Sequence, residues 1–212
     1  MKHALLLFKL LDKEWAYKLH TQGELFIRKA SEFQRIEDSN RGDKNENINA
    51  IYQKDEIQLT IAGHTIKSSD LAGPIIINDD IDPFIYCTYA LEDKRLKESD
   101  CLIDEACYSF GDHCVVVHDI AAFQNRIRDW CIRNGARISA EPIQYVDLSK
   151  HSGRVGPYIK DFSYQHQQEY RLVFYDIPTQ DSTFTITLGD LSDITKVIPT
   201  ALIEKEIEIT YT

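Results

Sequence analysis

The sequence predicts an α+β fold, a mixed and mostly antiparallel sheet with helices packed on one side, and three observations carry that reading. Short segments with a two-residue apolar period recur along the chain, two stretches keep the helical period instead, and strand-helix-strand alternation is scarce. Few alternations of that kind leave little room for parallel crossovers, so most strands pair antiparallel.

Leu5, Phe8, Leu11, Trp15 and Leu19 fall at steps of three and four, which predicts a helix over about 4 to 20 ended by Gly23. Glu24 to Arg28 reads as a strand leading into Ala30–Phe33, and residues 35 to 50 are almost wholly polar, a loop or a short exposed helix start. Ile57, Leu59 and Ile61 alternate with Gln58 and Thr60, and Ala62-Gly63-His64 then turns the chain into a hairpin. Asn78 to Pro83 is a break, and the dense run Phe84 to Leu91 has the composition of a buried central strand.

Cys114 to His118 is a second buried strand. Ile120, Phe123, Ile127, Trp130 and Cys131 restore the helical period up to Asn134-Gly135, giving a helix of about 120 to 133. Further strands are expected at Pro142 to Val146, Glu169 to Tyr175 and Thr183 to Leu188, with one or two more between Thr195 and Tyr211. No repeat, Pro-rich linker or low-complexity tract marks a boundary, so a single domain over residues 1–212 is expected.

Composition limits the function. No run approaches the roughly 18 apolar residues of a membrane span, so no membrane association is expected. Ala4 to Phe8 imitates a signal-peptide core, but Lys9 interrupts it and no small-residue cleavage site comes after it, so the expected location is cytoplasmic. Cys87, Cys101, Cys107, Cys114 and Cys131 are odd in number and lack a C-x-x-C pair, which suggests reduced thiols and no structural zinc. The formal charge of -10 argues against wrapping of DNA by the whole surface; ordinary solubility explains it best, and a toxin with a basic antitoxin partner would show it too. P-loop, nucleophile-elbow and H-E-x-x-H motifs are missing from the sequence. Cys114, His118 and the adjacent His113 could be imagined as a metal site, although structural roles suit them better and no metal is expected. Glu92-Asp93-Lys94 has the form of the acidic-x-Lys end of a nuclease motif, without a clear upstream Asp on a strand.

The most informative segment runs from Tyr158 to Phe174. Once Tyr170 to Phe174 is extended, Gln167, Glu169 and Arg171 share one face and Tyr170, Leu172 and Phe174 the other. The bland alternative is a strand edge on which Glu169 and Arg171 simply pair. Gln167-Gln168-Glu169 at a strand start resembles the third motif of the ADP-ribosyltransferase superfamily. That resemblance implies a Glu169 carboxylate that grips the nicotinamide ribose and opposes oxocarbenium charge, with Gln167 orienting the nucleophile.

The wider stretch Lys160, Tyr164 and Gln167-Gln168-Glu169-Tyr170-Arg171-Leu172 also resembles a bacterial family of unknown function associated with defence and toxin loci. Gly23-Glu24-Leu25-Phe26 and Ser31-Glu32-Phe33 match its opening, whereas Gln34 to Asp38 replaces its Asn-Asp-Pro-Phe.

The second candidate region is the polar loop Ile36 to Glu46, too polar to lie in a core. Arg41 could fork onto a pyrophosphate there, with Gly42 allowing close backbone approach. Arg28 competes for that role, because the superfamily holds NAD with a first-strand Arg or His. The resemblance further implies that Tyr86 or Thr88, on a second strand, stacks on or orients nicotinamide; both also suit a core.

The expected activity is therefore transfer of ADP-ribose from NAD, used as substrate, to a nucleic acid or protein acceptor, in a toxin or antiphage setting with a possible antitoxin. The alternatives are a non-catalytic binding domain of the same fold and a metal-dependent nuclease.

Overall fold

The structure is a computed structural model that describes residues 4–36, 42–99 and 101–209. The chain groups into two compact units. The first comprises residues 1–29, 83–142 and 166–212, and the second residues 30–82 and 143–165. The composition of the chain carries no mark of this division, because the chain leaves and re-enters the first unit at ordinary strand ends.

Eight strands build the sheet of the first unit: β1 (Ala4–Leu11), β2 (Glu24–Lys29), β3 (Phe84–Glu92), β4 (His113–Val117), β5 (Arg137–Pro142), β6 (Glu169–Tyr175), β7 (Thr183–Thr187) and β8 (Thr195–Pro199). Their pairings are all antiparallel, in the order β5-β6-β3-β1-β4-β8, with β7-β2 joined to the start of β3. The register places this branch. Tyr89 pairs with both Phe8 of β1 and Glu169 of β6, while Ile85 pairs with both Arg28 of β2 and Val173 of β6. A strand has only two edges, so β1 and β2 share one edge of β3 and diverge along it. Where they part, the Lys9 ammonium donates to the Cys87 carbonyl at 2.7 Å and lies 4.4 Å from the centre of the Tyr86 ring.

The helix expected over 4 to 20 is instead β1 followed by α1 (Lys13–Gln22). Ala4–Leu11 is apolar enough to be covered on both faces: Leu7 packs into one core cluster and Phe8 into another. The three- and four-residue steps that suggest a helix are accidental in a strand buried on both sides. Trp15, a member of the expected apolar stripe, is 48% exposed, and Lys18 covers its ring. Gly23 ends α1 with φ 65, and its amide reaches the Leu19 carbonyl.

α2 (Ile120–Asn134) matches its expectation closely. Asp119 caps it by accepting from the Ala122 amide, Gly135 closes it at φ 68, and Phe123, Ile127 and Cys131 are buried at four-residue steps. Both long helices pack on the sheet face that carries Leu7, Tyr86, Ala90, Val115 and Leu172. The opposite face, with Phe8, Tyr89, Leu91 and Val116, is covered by shorter segments that supply Ile103, Cys107 and Ile203. Each fully buried aliphatic or aromatic side chain here contributes about 1.5–3 kcal/mol. The C-terminal stretch supplies one strand, β8, and then a short helix at Ile203–Glu206.

The second unit is built from small pieces. Gly153–Arg154, Ile48–Tyr52 and Ile75–Asn78 form a three-stranded antiparallel sheet, Leu59–Ile61 and His64–Ile66 the expected hairpin, and Gln144–Val146 pairs parallel with Ile159–Asp161. Ile48, Ile51, Leu148 and Val155 are its core.

Candidate functional site

Strand β6 begins and ends where the alternation places it, and its two faces separate as expected. Tyr170, Leu172 and Phe174 lie across from Thr88, Tyr86 and Phe84, while Glu169, Arg171 and Val173 lie across from Tyr89, Cys87 and Ile85. Leu172 and Phe174 enter the helix-covered core. The entry to β6 is a sharp turn: Gln168 has φ 41, a left-handed conformation rare for a residue with a Cβ, and its carbonyl accepts from the Ala90 amide at 2.8 Å.

On the polar face the side chains are buried, not exposed. Glu169 is 8% and Arg171 1% accessible; Gln167, expected on the same strand face, instead ends the short 3-10 segment Phe162–Gln167 ahead of the left-handed Gln168 and is itself buried at 5%. Arg171 donates to Glu169 Oε2 through Nη2 at 2.9 Å and through Nε at 3.3 Å. The pair is charge-assisted, and both groups are held by the strand that carries them.

The same region gathers other polar groups of the first unit. The Cys107 thiol donates to the His166 carbonyl at 3.5 Å; burial pushes its pKa up to about 12, with the Asp104 and Glu169 carboxylates acting the same way and Arg95 opposing. Tyr89 is held neutral mainly by burial. Cys107 is thus a protonated thiol, not a nucleophile.

The remaining sequence candidates do not converge on this face. Tyr86 and Thr88 project to the opposite side of β3: Tyr86 packs in the helix-covered core, with burial raising its pKa, and Thr88 donates to the Tyr170 carbonyl at 3.1 Å. Their parity relative to Glu169 decides this, because residues across an antiparallel ladder share a face. Arg28 is exposed and lies over the Phe26 ring. It is on the Glu169 side of the sheet, since Arg28, Ile85 and Val173 are successive cross-strand partners, but Val173 is four residues from Glu169. Arg41 lies outside the described residues.

The segment Gly42–Glu46 corrects the idea that so polar a loop stays out of the interior. Asp43 is 3% and Glu46 4% accessible, and the loop folds on itself through Asn45 N–H donating to Asp43 Oδ1 and Glu46 N–H to the Asp43 carbonyl. In the same second unit Lys160 is 4% accessible, with Nζ 4.7 Å from the centre of the Tyr164 ring. Burial raises the Tyr164 pKa, helped by Asp43, Asp161 and Glu46 and opposed by Lys160. The sequence marks Lys160 and Tyr164 only through the resemblance to the bacterial family, and Asp43 and Glu46 only as part of the polar loop, without assigning any of them a role.

The nuclease-like Glu92-Asp93-Lys94 is spent on a surface helix, Asp93–Glu98, where Asp93 pairs with Lys97 and Lys94 with Glu98 at 3.6 Å. Among the described residues no group of three or more His, Cys, Asp or Glu is placed to hold a metal ion, and no helix is long and apolar enough to cross a membrane. Comparisons of the chain with protein-family models, with curated proteins and with solved structures find no match.

Proposed function

We propose that the chain is an ADP-ribosyltransferase-like enzyme that breaks the bond between nicotinamide and ribose in NAD and passes ADP-ribose to a nucleic acid or protein. The supporting observation is the run of buried polar side chains at Gln167, Glu169 and Arg171, entered through the left-handed Gln168. A buried ion pair is a poor way to stabilise a fold, because apolar residues of similar volume do as well or better. Strained backbone beside such groups points to a site where position matters more than stability.

In this reading Glu169 accepts from the ribose hydroxyl and opposes the positive charge at the anomeric carbon as nicotinamide leaves with the bonding electrons. The acceptor oxygen or nitrogen then bonds to that carbon and loses its proton, with Gln167 orienting it. Arg171, missing from the set drawn from sequence, holds the Glu169 carboxylate in place through two donors. The NAD phosphates fall to Arg28 or Arg41. A toxin or antiphage setting suits such an activity.

A second reading is favoured by one specific contact. Oε2 of Glu169 already receives two Arg171 donors, as it would in a non-catalytic binding domain with a structural ion pair. Purified protein with NAD and lysate or total RNA separates the two. The transferase releases nicotinamide and labels an acceptor, and Glu169→Gln stops both while circular dichroism is unchanged. No NAD turnover in the wild type leaves the binding domain, and activity on nucleic acid that a chelator abolishes belongs to a metal-dependent nuclease.

A further inference from the structure

Natural sheets protect their edges with charge, proline or brevity. In the first unit edge strand β5 carries Arg137, Glu141 and Pro142 and edge strand β8 carries Lys196 and Pro199, while the third edge, β7, has neither charge nor proline but alternates threonine with Phe184 and the buried Ile186. In the three-stranded sheet of the second unit one edge is the two-residue Gly153–Arg154 and the other is Ile75–Asn78, whose sequence Ile-Ile-Ile-Asn has neither charge nor proline. Ile76 is 52% and Ile77 45% exposed, and successive residues of a strand face opposite ways, so apolar surface shows on both faces of this edge. Ile81, just beyond it, is 56% exposed. Its ladder with Ile48–Tyr52 uses one side of the backbone, which leaves alternate amides and carbonyls of the other side without a strand among the described residues.

The residues just after the strand are acidic. Asp79, Asp80 and Asp82 stand within four residues, and none of them pairs with a Lys, Arg or His among the described residues. Asp82 instead accepts from the Ser31 amide at 2.9 Å and hydroxyl at 2.6 Å, and Asp79 accepts from the Ile81 amide, while Asp80 is exposed. A second copy of the chain would bring the same net charge of -10 against itself, which disfavours self-pairing.

We infer that Ile75–Asn78 is a docking edge for an extended segment of a basic partner protein, which adds to the sheet as a strand. Its backbone completes the open side of the ladder, its apolar side chains cover Ile76 and Ile77, and its Lys or Arg residues meet Asp79 and Asp80. In the antiparallel arrangement the basic residues precede the apolar ones, because the start of the incoming strand lies beside Asn78. This inference is independent of the NAD reading, since it uses no residue of the Glu169 region.

The test uses the full chain and three fluorescent peptides: Lys-Arg-Val-Thr-Val-Thr-Val, the same peptide with Glu-Glu in place of Lys-Arg, and the basic peptide N-methylated at alternate amides. The expected result is anisotropy binding of the basic peptide below about 1 mM, weaker by about tenfold or more for the other two. Asp79→Lys with Asp80→Lys weakens the basic peptide to a similar degree and reverses the charge preference, with thermal melting unchanged. Equal binding of the acidic peptide, indifference to N-methylation, or no binding of the basic peptide overturns the inference. So does sedimentation of the wild type as a dimer that Ile76→Lys converts to a monomer, which gives the edge to a second copy.

Discussion

Replacing Arg171 by Met removes the guanidinium beside Glu169 and keeps most of the volume. Both partners are out of solvent, at 1% and 9% side-chain accessibility, so water cannot readily take over the carboxylate. Removing one member of a pair this deep costs about 3–5 kcal/mol, most of it from the charge left behind. At about 2–4 °C per kcal/mol for a chain of this length, Tm falls by roughly 6–20 °C. Arg171→Met with Glu169→Leu removes both charges and should recover part of the loss, because neither member of the pair is then left facing the other's vacancy. Urea unfolding of the wild type, both single variants and the double, monitored by far-ultraviolet circular dichroism, gives the coupling energy directly. A double variant no more stable than Arg171→Met alone, or a single variant within about 1 kcal/mol of wild type, would refute the idea that the two charges are energetically bound together.

Neighbouring features carry further expectations. Gln168→Val should be less stable than Gln168→Gly by about 1–2 kcal/mol in chemical denaturation, because a β-branched residue is poorly accommodated at φ 41; equal stabilities would remove the strain argument. Cys107 has a folded pKa raised from 9.0 to about 12, so above pH 9 the unfolded chain loses a proton that the folded chain keeps. Stability should then fall with rising pH, by about 1.4 kcal/mol per pH unit for this thiol, and Cys107→Ala should lessen that slope between pH 9 and 12. Below pH 9 the thiol is neutral in both states and adds no pH dependence. A Cβ on Gly111 would sit 2.2 Å from the Leu11 backbone carbon, whereas one on Gly135 meets nothing within 4 Å. Gly111→Ala should therefore cost about 3 kcal/mol or more in thermal melts, well beyond the roughly 1 kcal/mol expected from the left-handed cap at Gly135.

The segments that read correctly from sequence are those whose local chemistry leaves one choice. Glu169–Tyr175 alternates at its start, Glu-Tyr-Arg-Leu, and its bounds agree to the residue, and α2 has an Asp cap, a four-residue apolar period and a closing Gly. Ala4–Leu11 misleads because a strand buried on both faces has no period of its own, so chance spacing of large residues suggests a helix. At the site, the polar and apolar faces of β6 are legible, since parity along one strand is a local property. The relation of Tyr86 and Thr88 to that face is not, because it depends on the register between β3 and β6, which pairing across some eighty residues decides. The burial of Asp43, Glu46 and Lys160 is hidden for a related reason: polarity signals exposure only when no other polar group is brought to meet it.

The divergence of β1 and β2 along β3 makes one ammonium part of the backbone architecture. Where a neighbouring strand would ordinarily supply an amide to the Cys87 carbonyl, Lys9 reaches in with a charge that chemistry can erase. Acetylation of that amine, or its exchange for methionine, would take the charge away from both the Cys87 carbonyl and the Tyr86 ring and so loosen the seam at mid-sheet. Amide hydrogen exchange would report the opening first at residues 86–88, in the strand that the rest of the unit is assembled around.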